Sequence, residues 1–292
     1  MTEPLTTESQ RRPTEPFTTT QQQRLTELNA DPELITKAFE TKTERDDFFR
    51  QTEAGLVRQN KAKLAKLLAE DRKPLAVQIE ERLKDWLTKS EGFTQVTTPT
   101  IITASMLNKM TITKDHKLTS QVFWLDAKRC LRPMLAPNLY TVMRDLHKIT
   151  KEPVRIFEAG SCFRKESQGA QHMNEFTMLN LVDFAGVEDG TQMERLKELA
   201  IGAMKAVGID NYELQIEKSE VYGETMDIVI GDLEIASGAY GPHFLDAKWG
   251  VFEPWVGIGF GIERIAMALA DYKTIKRVGK SIVYLDGSPL NL

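Results

Sequence analysis

The chain has 292 residues, 41% of them hydrophobic, and its 38 basic and 42 acidic residues give a formal net charge of −4. This size suits one catalytic domain with an appendage, and the composition excludes a histone-like polycation, a collagen and a wholly disordered chain. Any attraction to nucleic acid must come from a local concentration of basic residues, because the average charge provides none.

Features that are absent from the sequence indicate the cellular compartment. The two cysteines, Cys130 and Cys162, are too few for a disulfide framework, and no group of Cys and His has zinc-finger spacing. The N-terminus has no apolar signal-peptide segment, and no stretch reaches the roughly 18 apolar residues of a membrane span. We therefore expect a reduced, cytoplasmic protein with no membrane partner.

The N-terminal quarter of the chain divides into two predicted segments. Residues 1–23 are rich in Thr, Pro, Gln and Glu and are predicted to be a disordered polar tail. Residues 24–74 have a helical pattern and are predicted to be N-terminal helices. Within them, residues 58–73 carry six basic and two acidic side chains. This run is either a solvated helix face or a face that contacts the phosphates of tRNA.

Residues 75–292 are predicted to form the catalytic domain. An amphipathic helix starts at Leu75 and is followed by an extended segment that contains Pro99. Because proline removes a donor from a strand ladder, that segment is expected at a sheet edge or a subunit interface.

The rest of this domain alternates strands and helices. Helices are predicted at 137–147, at 191–208 and from about Glu263, and strands at 153–165, 175–184, 212–217, 224–236 and 254–261. The pattern indicates an α+β fold, with a mostly antiparallel sheet flanked by helices.

The strongest chemical signal is the segment WVGIGFGIER, which ends at Arg264. Side chains alternate along a strand, so Trp255, Gly257, Gly259 and Gly261 share one face and leave a trough of bare backbone for a flat ligand. Arg264 then places a guanidinium at the end of the trough. Glycine at every second position is not the dinucleotide-binding fingerprint. The alternative interpretation is a bulge or a barrel corner.

Two further groups of residues suit phosphate chemistry. Arg164 and Glu166 are predicted to share a face at a strand end, where the arginine can grip a phosphate bidentately and the glutamate can accept hydrogens from an amino group. Glu234 and Ser237 offer hard oxygen ligands to Mg²⁺. The alternatives are a surface ion pair and a polar strand end, respectively.

Together, the Pro99 segment, the FRKE…F segment and the GIGFGIER segment resemble, in order and spacing, the three motifs of class II aminoacyl-tRNA synthetases. More narrowly, five segments resemble the pyrrolysyl-tRNA synthetases: LRPMLAPNLY (131–140), IFEAGSCFRKES (156–167), HMNEFTMLN (172–180), VYGETMD (221–227) and EPWVGIGFGIER (253–264). The resemblance covers residues 76–292 well and the preceding helices loosely. It implies the class II synthetase fold and a homodimer formed through the Pro99 segment.

The resemblance also implies a reaction and an ATP site. An amino-acid carboxylate attacks the α-phosphorus of ATP, and the acyl group then passes to the 3′ end of a tRNA. Arg164 and Arg264 are the implied catalytic residues, and Phe176 and Arg264 would sandwich the adenine. Mg²⁺ is the implied cofactor, held by Glu234 and Ser237. The implied ATP site comprises Arg164, Glu166, His172, Met173, Phe176, Glu234, Ser237 and Arg264.

The implied amino-acid substrate is pyrrolysine or another N-ε-acyl lysine. Its pocket is large, apolar and nearly free of charge, so plain lysine would bury an unpaired cation at heavy cost. Asn180 would bond the side-chain carbonyl and Tyr222 would act as a lid, while Tyr240 is larger than expected beside the pocket. The implied pocket comprises Ala136, Leu139, Tyr140, Met143, Asn180, Val182, Tyr222, Ala239, Trp255 and Gly257.

The sequence leaves open how tRNA is bound and whether another function applies. The longer members of the family carry a basic N-terminal tRNA-binding domain, so here either a separate polypeptide supplies that function or the helices of 24–73 suffice. Two other functions fit the residues: a class II synthetase for an aromatic amino acid, and a synthetase-like regulatory paralogue that does not charge RNA.

Overall fold

The computed structural model describes residues 14–165, 169–219 and 221–292. The chain forms two compact units, one of residues 73–281 and one that joins the N-terminal residues up to Arg72 with residues 282–292. The sequence predicts a boundary after residue 74, and the two units divide between Arg72 and Lys73. The C-terminal eleven-residue segment, predicted to belong to the catalytic domain, belongs instead to the N-terminal unit.

The N-terminal unit is mostly helical. Its helices are α1 (Thr19–Glu27), α2 (Pro32–Ile35) and α3 (Lys42–Lys66), and a π-helical turn follows at Leu67–Asp71. Two short strands, β1 (Glu15–Pro16) and β2 (Ala38–Phe39), pair with each other. On α3, Asn60 is buried and its amide donates to the carbonyl oxygen of Leu28, which ties the first helices to the long one.

The predicted disordered tail is wrong for its second half. Phe17 is only 3% exposed, and its ring meets that of Phe39 edge to face at 5.0 Å. Thr18 caps α1 reciprocally with Gln21, so the polar residues of this segment start a helix. A single aromatic anchor and a capping box order the segment despite its low apolar content. Residues 1–13 of the predicted tail lie outside the described residues.

A seven-stranded sheet forms the centre of the unit 73–281. The strands are β3 (Thr94–Gln95), β6 (Val154–Phe163), β7 (Glu175–Phe184), β8 (Glu213–Ser219), β9 (Gly223–Ile230), β10 (Leu233–Gly241) and β11 (Trp255–Gly261). Their order is β3-β6-β7-β11-β10-β9-β8, and all pairs are antiparallel except β3 with β6. The α+β fold with a mostly antiparallel sheet is confirmed.

Two details of the sheet bear on the predictions. Pro99 follows the edge strand β3, as expected, and precedes β4 (Ile101–Thr103), which pairs with β5 (Arg129–Leu131) in a small separate sheet. The single strand predicted at 224–236 is wrong, because a turn at Gly231, whose φ is +58°, splits it into the hairpin β9–β10. Glycine followed by aspartate between apolar runs is a hairpin signal.

Helices cover both faces of the sheet. Helices α4 (Leu75–Lys89), α8 (Gln192–Val207) and α10 (Ile262–Leu269) pack on one face, where Val256, Ile258 and Phe260 of β11 are buried. Helix α7 (Ala136–Thr150) packs on the other face, against β6 and β7. Short helices α5 (Ala104–Lys109), α6 (Leu118–Gln121) and α9 (Asp246–Trp249) fill the connections. The face that carries α7 also carries the large cavity described below.

The last strands of the chain, β12 (Tyr284–Leu285) and β13 (Ser288–Pro289), form a hairpin. Strand β13 packs against α3 of its own unit, which is why the C-terminal segment separates from the sheet domain. Across the described ranges, every helix is too short or too polar to cross a bilayer.

Candidate active site

One cavity of about 320 Å³ lies between α7 and the strands β7, β10 and β11. Every predicted site residue that the structure describes lines it, whereas Glu166 lies outside the described residues. The lining residues of the predicted ATP site are Arg164, His172, Met173, Phe176, Glu234, Ser237 and Arg264. Those of the predicted amino-acid pocket are Ala136, Leu139, Tyr140, Met143, Asn180, Val182, Tyr222, Ala239, Trp255 and Gly257.

The cavity floor is the glycine-rich strand β11. Trp255, Gly257, Gly259 and Gly261 all face the cavity, as the alternation of side chains predicts. A Cβ added at Gly259 would lie 3.0 Å from the side-chain amide of Asn180, so the site has no room to spare there. Six residue steps separate the two ends of this strand, and at about 3.3 Å per step the floor is about 20 Å long.

The neighbouring strand β10 meets the floor with an irregular register. Glu234 pairs with Val229 and Ala236 with Ile228, so Ile235 is an extra residue and forms a β-bulge. In a regular strand, residues three apart point to opposite faces. Because of the bulge, Glu234 and Ser237 line the same cavity.

Two guanidinium groups lie at the end of the floor away from Trp255. Arg264 is the third residue of α10, which follows β11. It donates to the carbonyl oxygen of Glu234 at 2.9 Å and lies 3.6 Å from its carboxylate. Arg164 donates through Nε to the carbonyl oxygen of Pro133 at 2.9 Å, and its guanidinium lies 5.3 Å from the centre of the Phe176 ring. This end of the cavity can therefore hold a polyanion next to an aromatic face.

Oxygen donors near these arginines fit a hard divalent cation. Burial raises the pKa of Glu234, an effect that Arg264 opposes and Asp227 reinforces, so a bound cation would favour the ionised carboxylate. The hydroxyl of Ser237 donates to Asp227 at 2.6 Å. Within the described ranges no cluster of three or more His, Cys, Asp or Glu could hold a metal, which suits Mg²⁺ only if a ligand's phosphates complete its shell.

The opposite end of the cavity is apolar. Leu139 and Met143 of α7 face Val182 and Ala239 of the sheet across it, and Trp255 closes the floor. Among the described lining residues, the Asp, Glu, Lys and Arg side chains all belong to the other end: Arg164, Glu234, Glu263 and Arg264. A long uncharged side chain therefore matches this end, and an ammonium group does not.

Two tyrosines bound the apolar end. Burial raises the pKa of both Tyr140 and Tyr222, so both hydroxyls stay protonated and can donate. Tyr222 lies in the turn before β9, where its backbone N–H donates to the hydroxyl of Ser219, and its ring is 6.2 Å from that of Trp255. Tyr240 points to the other face of β10, where its hydroxyl meets Glu224, so its size does not narrow the pocket.

Sequence reasoning missed Glu263, which positions Arg264. Its carboxylate is 3% exposed and accepts the backbone N–H of Thr177 at 2.9 Å with each oxygen, which joins the start of α10 to β7. Burial raises the pKa of Glu263, and the bond from Thr177 opposes this shift. The sequence feature that could have indicated a role for Glu263 is its position directly before Arg264. The other lining residues without a predicted role include Met134, Gln171, Met178, Thr225 and Ile275.

Comparison with known proteins agrees with this geometry. The family described as "tRNA synthetases class II core domain (F)" matches residues 60–285. A crystal structure of pyrrolysyl-tRNA synthetase from Desulfitobacterium hafniense superposes with a TM-score of 0.89 at 50% identity, covering 95% of this chain and 99% of that one. A second structure, of Desulfitobacterium hafniense PylSc, a pyrrolysyl tRNA synthetase, gives 0.88 at 48% identity, covering 98% and 100%.

More distant similarity extends to O-phosphoserine--tRNA(Cys) ligases. The protein from Methanocorpusculum labreanum is 31% identical over 145 residues, which are 45% of this chain and 26% of that one. The protein from Methanospirillum hungatei JF-1 is 25% identical over 168 residues, which are 52% and 30%. The matched part therefore spans less than a third of the length of these curated relatives.

The prediction that a flat ligand lies on the bare backbone of β11 can be tested with Gly261→Ala. The nearest atom to the added methyl would be Cδ of Arg264 at 3.5 Å, an ordinary contact, so we expect the protein to fold normally. The methyl would rise from the floor beneath a bound purine, and we expect the KM for ATP to increase roughly fivefold or more. The matched control is Gly55→Ala on the helix α3, where the methyl meets nothing within 4 Å. An unchanged KM for ATP in Gly261→Ala would contradict the position of the nucleotide.

Proposed function

Because this chain belongs to the class II tRNA synthetases and, within them, to the pyrrolysyl-tRNA synthetase family, we propose that it activates pyrrolysine with ATP and transfers it to a cognate tRNA. The observation that carries this proposal is one cavity with two arginines at one end and an uncharged apolar pocket at the other. The first end suits the phosphates of ATP and the second a long acylated side chain.

The two alternative functions are not favoured. Against a synthetase for an aromatic amino acid, the similarity at 50% identity is to a pyrrolysyl-tRNA synthetase. A regulatory paralogue that charges no RNA has no need of both Arg164 and Arg264 in the same cavity. The combination of chemical groups supports an active ligase.

In the first step a carboxylate oxygen of the amino acid attacks the α-phosphorus of ATP, and the bond to the leaving pyrophosphate breaks. Arg164 is held by the carbonyl oxygen of Pro133, so its guanidinium is positioned before the reaction and can offset the charge that develops on the α-phosphate. No covalent bond to the protein is needed, so positioning and electrostatics supply the catalysis.

The remaining residues at the ATP end of the cavity are proposed to bind and orient the nucleotide and its Mg²⁺. We assign Phe176 and Arg264 to the two faces of the adenine and His172 and Met173 to the triphosphate side, with Glu166 as the partner of the adenine amino group. Glu234 and Ser237 would hold Mg²⁺, which supplies charge neutralisation of the phosphates when bound.

In the second step a hydroxyl of the terminal tRNA ribose attacks the acyl carbon of the adenylate, and AMP leaves. The exposed basic residues of the segment 58–73 are the proposed phosphate contacts on this protein. A separate tRNA-binding polypeptide is a further proposed partner, and the cytoplasm is the proposed location.

We also assign a homodimer. Ile101, Trp124 and Leu125 are 49%, 38% and 51% exposed, and all three belong to the small sheet region that follows Pro99. Exposed apolar side chains in one region support an interface between two copies.

Pyrophosphate exchange tests the proposed substrate. With ATP and Mg²⁺ present, pyrrolysine and N-ε-acyl lysines should support exchange, whereas lysine and phenylalanine should not. The physical reason is that the apolar end of the cavity is uncharged, so it accepts an acylated amine and leaves a lysine ammonium unpaired. Exchange with phenylalanine or lysine, and none with the acylated amino acids, would sink the proposal.

The role of Asn180 has its own test. Its side-chain oxygen is buried and has no hydrogen-bond partner within the described part of the chain, so it can accept the side-chain amide N–H of an N-ε-acyl lysine. The bond to the substrate's side-chain carbonyl, which the resemblance implies, would come from the amide nitrogen of Asn180. We expect Asn180→Ala to lower kcat/KM for pyrrolysine roughly two- to tenfold, the effect of one neutral hydrogen bond, with the KM for ATP unchanged. The control is Asn108→Ala on the surface of α5, which should change neither constant. Equal losses for both substrates would remove Asn180 from amino-acid recognition.

The basic segment is tested by charge reversal. Lys61 and Lys66 are exposed on α3, and we expect the double variant Lys61→Glu, Lys66→Glu to weaken tRNA binding and to reduce the salt dependence of binding by roughly one unit per lost phosphate contact. Arg50→Glu, on the same helix but outside the run and 72% exposed, is the matched control. If the double variant and the control bind tRNA with the same affinity and salt dependence, the segment is only a solvated face.

A further inference from the structure

Asp246 is a buried acid just behind the apolar end of the cavity. It starts the helix α9, and the residue is 1% exposed. Its Oδ1 accepts the hydroxyl of Tyr140 at 2.8 Å, and its Oδ2 accepts the indole N–H of Trp255 at 2.8 Å and the backbone N–H of His243 at 2.6 Å. The three donors come from α7, β11 and the loop before α9, so one carboxylate joins three elements.

The surrounding chain is built to bring this carboxylate close. A Cβ at Gly241 would overlap the indole nitrogen of Trp255 and crowd Oδ2 of Asp246, so only glycine allows the approach. Gly241 is the last residue of β10 and pairs with Trp255 of β11. The hydrogen bonds of Asp246 therefore depend on a backbone position that has no room for a side chain.

The two rings that Asp246 holds are those that close the pocket. Tyr140 and Trp255 both line the cavity and meet edge to face with ring centres 5.6 Å apart. Tyr140 also stacks on Trp249 at 5.2 Å, with an angle of 16° between the planes. Without a fixed acceptor, each ring could turn about its side-chain bonds and change the space at this end.

We propose that Asp246 is a positioning residue that sets the depth of the amino-acid pocket, and with it the longest acyl group that the enzyme accepts. It does so by holding Tyr140 and Trp255 at once. Asp246 is not among the described residues that line the cavity, so it acts through the two rings and does not touch the substrate. This inference rests on the proposed function, since it assumes that an N-ε-acyl lysine occupies the apolar end.

Two substitutions separate positioning from a general effect on folding. In Asp246→Asn, the side-chain oxygen can still accept from Trp255 and His243, while the new amide can donate to the hydroxyl of Tyr140, which is able to accept. The conservative variant should therefore keep both rings in place. Asp246→Ala removes all three bonds and leaves the rings free to turn.

The experiment measures kcat/KM in pyrophosphate exchange for N-ε-acetyl, N-ε-butanoyl and N-ε-hexanoyl lysine. For Asp246→Ala we expect the ratio of the hexanoyl to the acetyl substrate to shift roughly tenfold from the wild-type ratio, with the KM for ATP unchanged. Asp246→Asn should restore the ratio to within about twofold of wild type. Such a change in acyl-length preference is not the result of a merely less stable protein.

Other outcomes overturn the inference. The inference fails if Asp246→Ala keeps the wild-type ratio of kcat/KM for the hexanoyl and acetyl substrates. It also fails if Asp246→Asn changes that ratio as much as Asp246→Ala does. In either case Asp246 would be a buried acceptor that does not influence the depth of the amino-acid pocket. If Asp246→Ala does not fold, Tyr140→Phe decides, because it removes one of the three bonds and keeps the ring; an unchanged ratio there would reject the proposal. If the wild-type enzyme shows no pyrophosphate exchange with any of the acyl lysines, both the proposed function and this inference are overturned. If the wild-type enzyme shows normal exchange and the variants keep its substrate ratio, the inference alone is overturned.

Discussion

The site depends on one strand on which three successive cavity-facing positions are glycine. Strand β11 lies at the centre of the sheet, between β7 and β10, and its glycines turn bare backbone to the cavity. Glycine weakens a strand, because it loses more entropy on folding and packs nothing. The opposite face compensates, since Val256, Ile258 and Phe260 are fully buried in the helical core. The same strand thus anchors the sheet on one face and leaves room for a flat ligand on the other.

A second bare position, Gly160, makes room for a buried ion pair in the segment that supports Arg164. Arg132 and Glu158 form an ion pair at 2.7 Å with both side chains buried, and a Cβ at Gly160 would overlap the guanidinium. Such a pair is stable only when further hydrogen bonds satisfy it, and here Arg132 also donates to the carbonyl oxygen of Ser161 at 2.8 Å. The next residue, Pro133, offers its carbonyl oxygen to Arg164. The buried pair therefore fixes the segment that orients Arg164, which links the interior to the chemistry of the cavity.

Sequence patterns predicted the parts of the site that follow from regular strands. Alternation places Phe176, Asn180 and Val182 on one face, and the structure brings all three to the cavity. Irregular features were not predictable in this way: a bulge at Ile235 moves Glu234 to the face of Ser237, which strict alternation forbids. Asp246 has no partner at a characteristic spacing, because its three donors meet only after α7, β11 and the loop before α9 have packed together.

The separation of charge along the cavity suits a polyanion at one end and disfavours a cation at the other. Arg164 and Arg264 place positive charge at one end, while the described residues that line the apolar end include no carboxylate to pair with an ammonium. Asp246 does not change this, although it is an acid close to the pocket. Its carboxylate lies behind the rings of Tyr140 and Trp255 rather than among the described residues that line the cavity, and it accepts hydrogen bonds from both rings and from the His243 backbone. An acid that is buried behind the pocket and bonded to two of its rings can thus support the shape of the pocket without serving as a counter-ion.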